Sequence, residues 1–212
     1  VNRRRIWIAA SAALVLTLTG CGSSADPAQP VDGPASAPVQ SDSSASGEVI
    51  GQGTVLQSGD GAPELCLGPV AESFPPQCSG VPLVGWDWDA AEQEETASGV
   101  TWGTYAVQGT WDGTTLTLTQ PAIPLSLYDP MADIDPRMDE SNPGPSDEAE
   151  LAGVQADVDS LDIDGYLGSY VTNGYLWVQV VHDDGELQDF LDARYGADVV
   201  VVQSALRPVP SG

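Results

Sequence analysis

Four groups of side chains in this chain are of types that do chemistry: the alternation Trp86-Asp87-Trp88-Asp89, the acidic run Asp157, Asp159, Asp162 and Asp164, the single imidazole of His182 ahead of Asp183 and Asp184, and the thiols of Cys21, Cys66 and Cys78. In a strand the first group would turn both indoles to one face and both carboxylates to the other. Trp86 and Trp88 are therefore the speculative ligand-binding pair, either stacking on sugar rings or bases or filling the core of a small barrel, and core packing is the preferred reading. The acidic run fails the calcium-loop spacing. Setting Asp162 and Asp164 at positions 3 and 5 puts Ser160 at the first position and Val171 at the twelfth, where a bidentate Glu is needed. His182 has no G-x-S-x-G or comparable nucleophile pattern to serve, and it reads as a solvent-facing residue at a strand end. With 31 acidic residues some carboxylate pairs are inevitable, so no one pair is informative. No catalytic, cofactor-binding or metal-ligating residue is assigned.

Each thiol has a different context. Cys66 and Cys78 form an even pair, which in an oxidising compartment is expected to close a disulfide. A loop of about 13 residues closed in this way stabilises a fold by about 3 kcal/mol. A zinc site is the alternative, and with the sole histidine distant in sequence it is the poorer one. Cys21 stands directly behind an apolar run, Ile6 to Leu18, that is itself preceded by Arg3, Arg4 and Arg5. A cationic end followed by about 13 apolar residues is the pattern of a secretory signal peptide and falls short of the roughly 20 needed to span a bilayer.

Leu18-Thr19-Gly20-Cys21 resembles the lipobox of bacterial lipoproteins. The resemblance implies that residues 1–20 are a signal peptide cut before Cys21, and that the Cys21 thiol carries a diacylglycerol and becomes the new N-terminus. Two or more acyl chains, palmitate among them, would give stable membrane attachment. An ordinary signal peptide with an incidental cysteine is the alternative, and the export route, general secretory or twin-arginine, stays open. Residues 21–47, rich in Ser, Ala, Pro, Gly and Asp, read as a disordered tether. Its random-coil dimension is roughly 30 Å.

The chain has 212 residues with six Arg, no Lys and 31 acidic side chains, a formal charge of −25. Without the first three Arg, three cations stand against 31 acids, a formal −28. Such a field argues against nucleic acid as a partner and against the protein body lying flat on an anionic membrane. Membrane contact is expected through the lipid alone, with an envelope protein or wall component as the further partner and no cofactor.

The elements that must position these groups are expected to be α+β. Residues 48–121 carry short apolar alternations broken by Gly, Asp and Pro, the signature of a small antiparallel β-barrel, with the OB type a candidate. Candidate strands run over 49–56, 64–67, 83–88 and 100–106, and a hairpin pairs 105–111 with 114–119 across a type I′ turn at Asp112-Gly113. Residues 122–145 form an acidic, proline-bearing linker. Residues 146–209 are expected to fold as αββαβ, and 210–212 as a tail. There Ser146 would cap a first helix whose Leu151, Val154, Val158 and Leu161 share a face, and Asn173-Gly174 would turn a hairpin. Asp184 would cap a second helix, stopped by Gly196, before the buried strand of Asp198-Val199-Val200-Val201-Val202.

Two segments, "ELCLGPVAESFPPQCSGVPLVGWDW" with "GTWDGTTLTLT", and "LQDFLDARYGADVVVVQSALRPV", resemble stretches of uncharacterised actinobacterial lipoproteins and exported proteins. That resemblance transfers no activity and no catalytic residue. The expectation is a lipid-anchored, extracytoplasmic, non-enzymatic binding module; the alternative is an extracytoplasmic hydrolase acting on a cell-wall polymer through carboxylates, with Trp86 and Trp88 as its sugar platform.

Overall fold

The computed structural model describes residues 44–129 and 135–209. Cys21, the leader and the expected tether up to residue 43 lie outside the described residues, as does the tail at 210–212. Ser44 to Gly47, the last of that tether, are described, and the Ala45 amide donates to the Trp111 carbonyl at 3.1 Å. Among the described residues no helix is long and apolar enough to cross a membrane.

The protein is mixed α+β, with a closed five-stranded barrel and a second, three-stranded sheet. The barrel comprises β1 (Glu48–Ser58), β2 (Glu64–Cys66), β3 (Val81–Val84), β5 (Val100–Trp111) and β6 (Leu116–Leu118), and two short strands, β4 (Glu95–Ala97) and β7 (Ile123–Pro124), lie against β5. The ring closes in the order β1-β2-β3-β6-β5 and back to β1, antiparallel except for β3 with β6. β1 pairs with β5 through its whole length, from Glu48 opposite Thr110 to Ser58 opposite Val100. Inside, Val49, Val55, Leu65, Leu83, Val107 and Leu116 form a core around the fully buried Tyr105. Cys66 and Cys78 are disulfide-bonded with their Cα atoms 6.1 Å apart.

Two expectations for the barrel are corrected in detail. The strand over 83–88 ends at Val84, because Gly85, at φ 85°, turns the chain away from the sheet. The β5–β6 register places Trp111 opposite Leu116, two residues out from a two-residue turn at Asp112-Gly113. The Asp112 carboxylate accepts the amides of Thr114 and Thr115, and this side-chain turn holds a four-residue loop instead.

The second sheet, in the order β10-β9-β8, combines β8 (Tyr166–Thr172), β9 (Tyr175–Val180) and β10 (Val200–Ser204), with β10 parallel to β9. Helices α1 (Glu148–Val158) and α2 (Glu186–Tyr195) cover one face. Alternation along β9 makes both faces matter. Leu176, Val178 and Val180 join Leu151, Val158, Leu187 and Leu191 under the helices, whereas Tyr175 and Trp177 face the other way with Val201. The starts of both helices differ from expectation, and the N-cap position of α2 is Gly185, at φ 110°. Asp147, not Ser146, accepts the Glu150 amide at the start of α1, and Asp183 accepts the Leu187 and Gln188 amides at the start of α2, with Asp184 reaching only the Glu186 amide.

The stretch expected as a linker packs, on either side of residues 130–134. Met138 lies against Tyr175, Trp177 and Val201, and the Arg137 guanidinium sits 5.8 Å above the Trp177 ring centroid. The Asn173 carboxamide donates to the carbonyls of Arg137, Asp139 and Asn142. The barrel and the second sheet belong to one compact unit. A last strand, β11 (Arg207–Pro208), crosses back to pair with Val49 and Ile50 of β1, and Val181 and Leu206 enter the barrel core beside it.

The tip of the β8–β9 hairpin gives a stability test. Gly174 has φ 77°, and a Cβ there would lie 2.8 Å from the Gly144 carbonyl oxygen. Gly174→Ala is expected to lower the unfolding free energy by about 2 kcal/mol or more. Gly153 lies inside α1 with open space where a Cβ would go, so Gly153→Ala is expected to raise it by about 0.5–1 kcal/mol. Urea denaturation of the two variants beside the parent checks both signs.

Candidate functional site

The barrel wall and the face of the second sheet away from the helices border a cleft of about 660 Å³, within the roughly 300–1,000 Å³ usual for small-ligand sites. Its floor is set by register: Gln203 of β10 is the direct neighbour of Gln179 of β9, and both follow runs of apolar residues that are buried on both faces of the sheet. Counting by two from Trp177 puts Gln179 on the side away from the helices. Across from this pair stand Gln52, on the outward side of β1, and Arg207, whose strand β11 lies beside Ile50. Leu67, Leu167, Pro136 and Ala205 supply the apolar part of the lining, and Ser204 adds a hydroxyl.

The polar groups of this cleft differ in how far the protein itself satisfies them. The Gln203 side-chain oxygen, Oε1, accepts the Tyr170 hydroxyl at 3.1 Å. Asp135, the one carboxylate on the lining, is gripped by Arg137 through two side-chain bonds of 2.9 and 2.6 Å and also accepts the Arg137 amide. These bonds hold the Asp135 carboxyl below the usual carboxylate range, against the opposing effect of partial burial. Gln52, Gln179 and Arg207 show no side-chain hydrogen bond to other described residues. Arg207 is the one arginine among the described residues outside an ion pair, since Arg137 binds Asp135 and Arg194 binds Asp157. The cleft thus presents hydrogen-bonding groups that do not titrate near neutral pH around a single guanidinium, an arrangement suited to holding a polar ligand.

The residues singled out by sequence lie elsewhere. Trp86 and Trp88 are half-buried and pack edge-to-face on each other, with centroids 5.0 Å apart, and on Tyr105 at 4.9 and 6.4 Å. They share a side through the turn after Gly85 rather than through strand alternation, which corrects the premise of that expectation. The Trp88 indole N–H donates to Gln57, while the buried Trp86 N–H has no partner. A smaller space of about 330 Å³ adjoins Trp86, lined by Asp87, Leu118, Gln120 and neighbouring small residues.

His182 is not solvent-facing as expected. It is 9% exposed, with Nδ1 3.3 Å from the Leu206 carbonyl, because the chain folds back over the end of β9 on its way to β11. With Asp183, Asp184 and Glu48 it borders a third space of about 760 Å³, where Asp183 already caps α2. Two members of the acidic run serve structure: Asp157 accepts Arg194 and the Tyr195 hydroxyl, and Asp159 accepts Tyr166 and Ser169. Among the described residues no three His, Cys, Asp or Glu side chains come close enough together to hold a metal ion. Phe74, in the loop closed by the disulfide, is 76% exposed and meets Trp102 edge-on at 5.4 Å.

Comparison with known proteins leaves the site to its own geometry: the chain matches no protein-family model, no curated protein and no solved structure.

Because Asp135 has a native pKa below its ordinary value of about 3.9, it contributes stability above that value and loses the contribution as pH falls through the lowered one. Asp135→Asn is therefore expected to lower the urea midpoint at pH 7, with the gap from the parent protein narrowing as the pH is brought down to about 3.

Proposed function

We propose that the protein is a lipid-anchored, extracytoplasmic binding module without enzymatic activity, held on the cell membrane through Cys21 and presenting its cleft to a wall component or another envelope protein. The observation that carries the binding role is the lining of the cleft: Gln52, Gln179, Gln203 and Ser204 bind without exchanging protons, and the one carboxylate, Asp135, is fastened to Arg137. A carboxylate hydrolase works with two carboxyl groups, one of them protonated, so a single carboxylate held ionised favours binding over hydrolysis. The anchor rests on Leu18-Thr19-Gly20-Cys21 and the apolar run before it.

At the finer level of fold, we read the barrel as OB type and the remainder as an αββαβ unit. Support for the first comes from ring closure through a parallel β3–β6 pair, and for the second from the order of α1, β8, β9, α2 and β10. The kinship with actinobacterial lipoproteins is part of the same proposal and rests on the quoted segments.

Labelling cells with a palmitate analogue tests the anchor. The native protein is expected to take up label and fractionate with membranes, and Cys21→Ala to lose both; a mutant that stays on the membrane unlabelled refutes the anchor. A photo-crosslinking residue placed at Gln179 in intact envelopes tests the binding role. It is expected to give a discrete adduct that the same residue at Gly153, on the exposed side of α1, does not give, and equal yields from the two positions refute the cleft as the site.

A further inference from the structure

From the charges and hydrogen-bonding groups of the cleft we infer its ligand class: a monocarboxylate bearing amide groups and small aliphatic side chains, that is, the free C-terminal end of a short peptide, with the carboxylate on Arg207. This rests on the reading of the cleft as a binding site and goes beyond it by naming what is bound.

Charge gives the first constraint. The lining contains one anion and one cation, Asp135 and Arg207, but Asp135 is neutralised by Arg137. What is left to complement is a single positive charge. A planar guanidinium with five donors matches a carboxylate in two-point contact. A doubly charged group would leave one negative charge unmatched inside a chain of formal charge −25, an arrangement that like-charge repulsion opposes.

Hydrogen bonding gives the second. A carboxamide carries both donors and an acceptor, the same complement as a peptide group. Gln179 and Gln203 lie side by side by register on the floor, and Gln52 stands on the barrel side, so amides of a bound chain could be met from both walls. The Gln203 oxygen is already occupied by Tyr170, which leaves its amide N–H donors for a ligand carbonyl.

The third is the apolar part of the lining. Leu67, Leu167, Pro136 and Ala205 are aliphatic. They suit methyl-sized side chains, whereas a sugar acid would set hydroxyls against them and leave those hydroxyls unpaired.

Titration of the isotope-labelled full chain, followed by NMR of the glutamine side-chain amides and the arginine Nε groups, tests the assignment. The probes are acetyl-Ala-Ala as the free acid, the same peptide as its C-terminal amide, glucuronic acid and inorganic phosphate. The free acid is expected to shift the Gln179, Gln203 and Arg207 signals and to bind about tenfold or more tightly than the amide, the difference a charge-assisted pair makes. Arg207→Gln is expected to erase that preference while leaving the folded spectrum intact, and Arg207→Lys to restore it in part. Equal binding of acid and amide at the cleft overturns the carboxylate assignment and leaves the binding role standing. Tighter binding of glucuronic acid or phosphate than of the peptide acid overturns the peptide class. Absence of any shift at millimolar peptide acid overturns the inference altogether, while the binding role is then judged by the Gln179 crosslink alone.

Discussion

Both edges of β1 are in use, and the rest of the architecture follows from how the second edge is divided. One edge pairs with β5 along its full length, and the other is shared by β2, at Thr54 to Leu56, and β11, at Val49 and Ile50. Only Ala205 and Leu206 separate β10 from β11, so the second sheet must stand directly beside the barrel wall for its last strand to reach β1. Leu206 then fills the barrel opposite Gly51, where a Cβ would lie 2.7 Å from its methyl carbon. Val181 follows it into the same core. The cleft is the gap this arrangement leaves between the outward side of β1 and the face of β9 and β10 away from the helices. Arg207 lines it because the crossing strand does.

A three-stranded sheet has two exposed edges, and open edges invite pairing with other chains. Here each helix covers one edge with a glutamine. Gln188 of α2 accepts the Val202 amide and donates to the Val200 carbonyl, which puts one carboxamide where the peptide group of a further strand would sit on β10. Gln155 of α1 donates to the Ser169 carbonyl of β8. The helices therefore do two things at once: Leu151, Val158, Leu187 and Leu191 bury one face of the sheet while the polar residues between them close its sides. On β10 and β8 alike, a carboxamide takes up backbone groups that an incoming strand would otherwise use.

Much of the fold was legible because local signals and tertiary demands agree. Asn173-Gly174 forms the expected two-residue turn, with φ of 51° and 77° and Thr172 opposite Tyr175. Leu151, Val154 and Val158 of the expected α1 face lie in the helix against the core, whereas Leu161 packs on that core from beyond the helix end. Local signals misled where a neighbouring residue competes for the same job. Asp112-Gly113 looks like a tight turn until the Asp112 carboxylate captures the next two amides, and Asp183 outcompetes Asp184 at α2 because it reaches two amides rather than one. The packing of residues 135–144 was hidden by their acidic, proline-bearing composition. One clue lay elsewhere: β9 is apolar at consecutive positions, which means both of its faces are covered, and two helices cover only one. The cleft left a fainter trace. "WVQV" and "VVQS" each place a Gln after apolar residues in strands that otherwise look fully buried, and a polar residue in such a strand marks where the cover stops. What no local pattern contains is the pairing of β11 with β1, which joins residues at opposite ends of the described chain.

Three arginines serve the whole described part of this acidic chain, and two of them hold elements together through ion pairs. Arg137 holds Asp135 and lies over Trp177, fastening the 135–144 segment to the sheet. Arg194 holds Asp157 and so ties the end of α2 to α1, beside the Tyr195 hydroxyl that bonds the same carboxylate. Each is committed to a carboxylate close by. Arg207 stands outside any ion pair among the described residues, and it shares the cleft lining with the nonionic Gln52, Gln179 and Gln203. Glutamine in those three places, where Glu would differ by a single atom, adds no carboxylate to the lining, and under the proposed reading the same carboxamides meet the amides of the ligand.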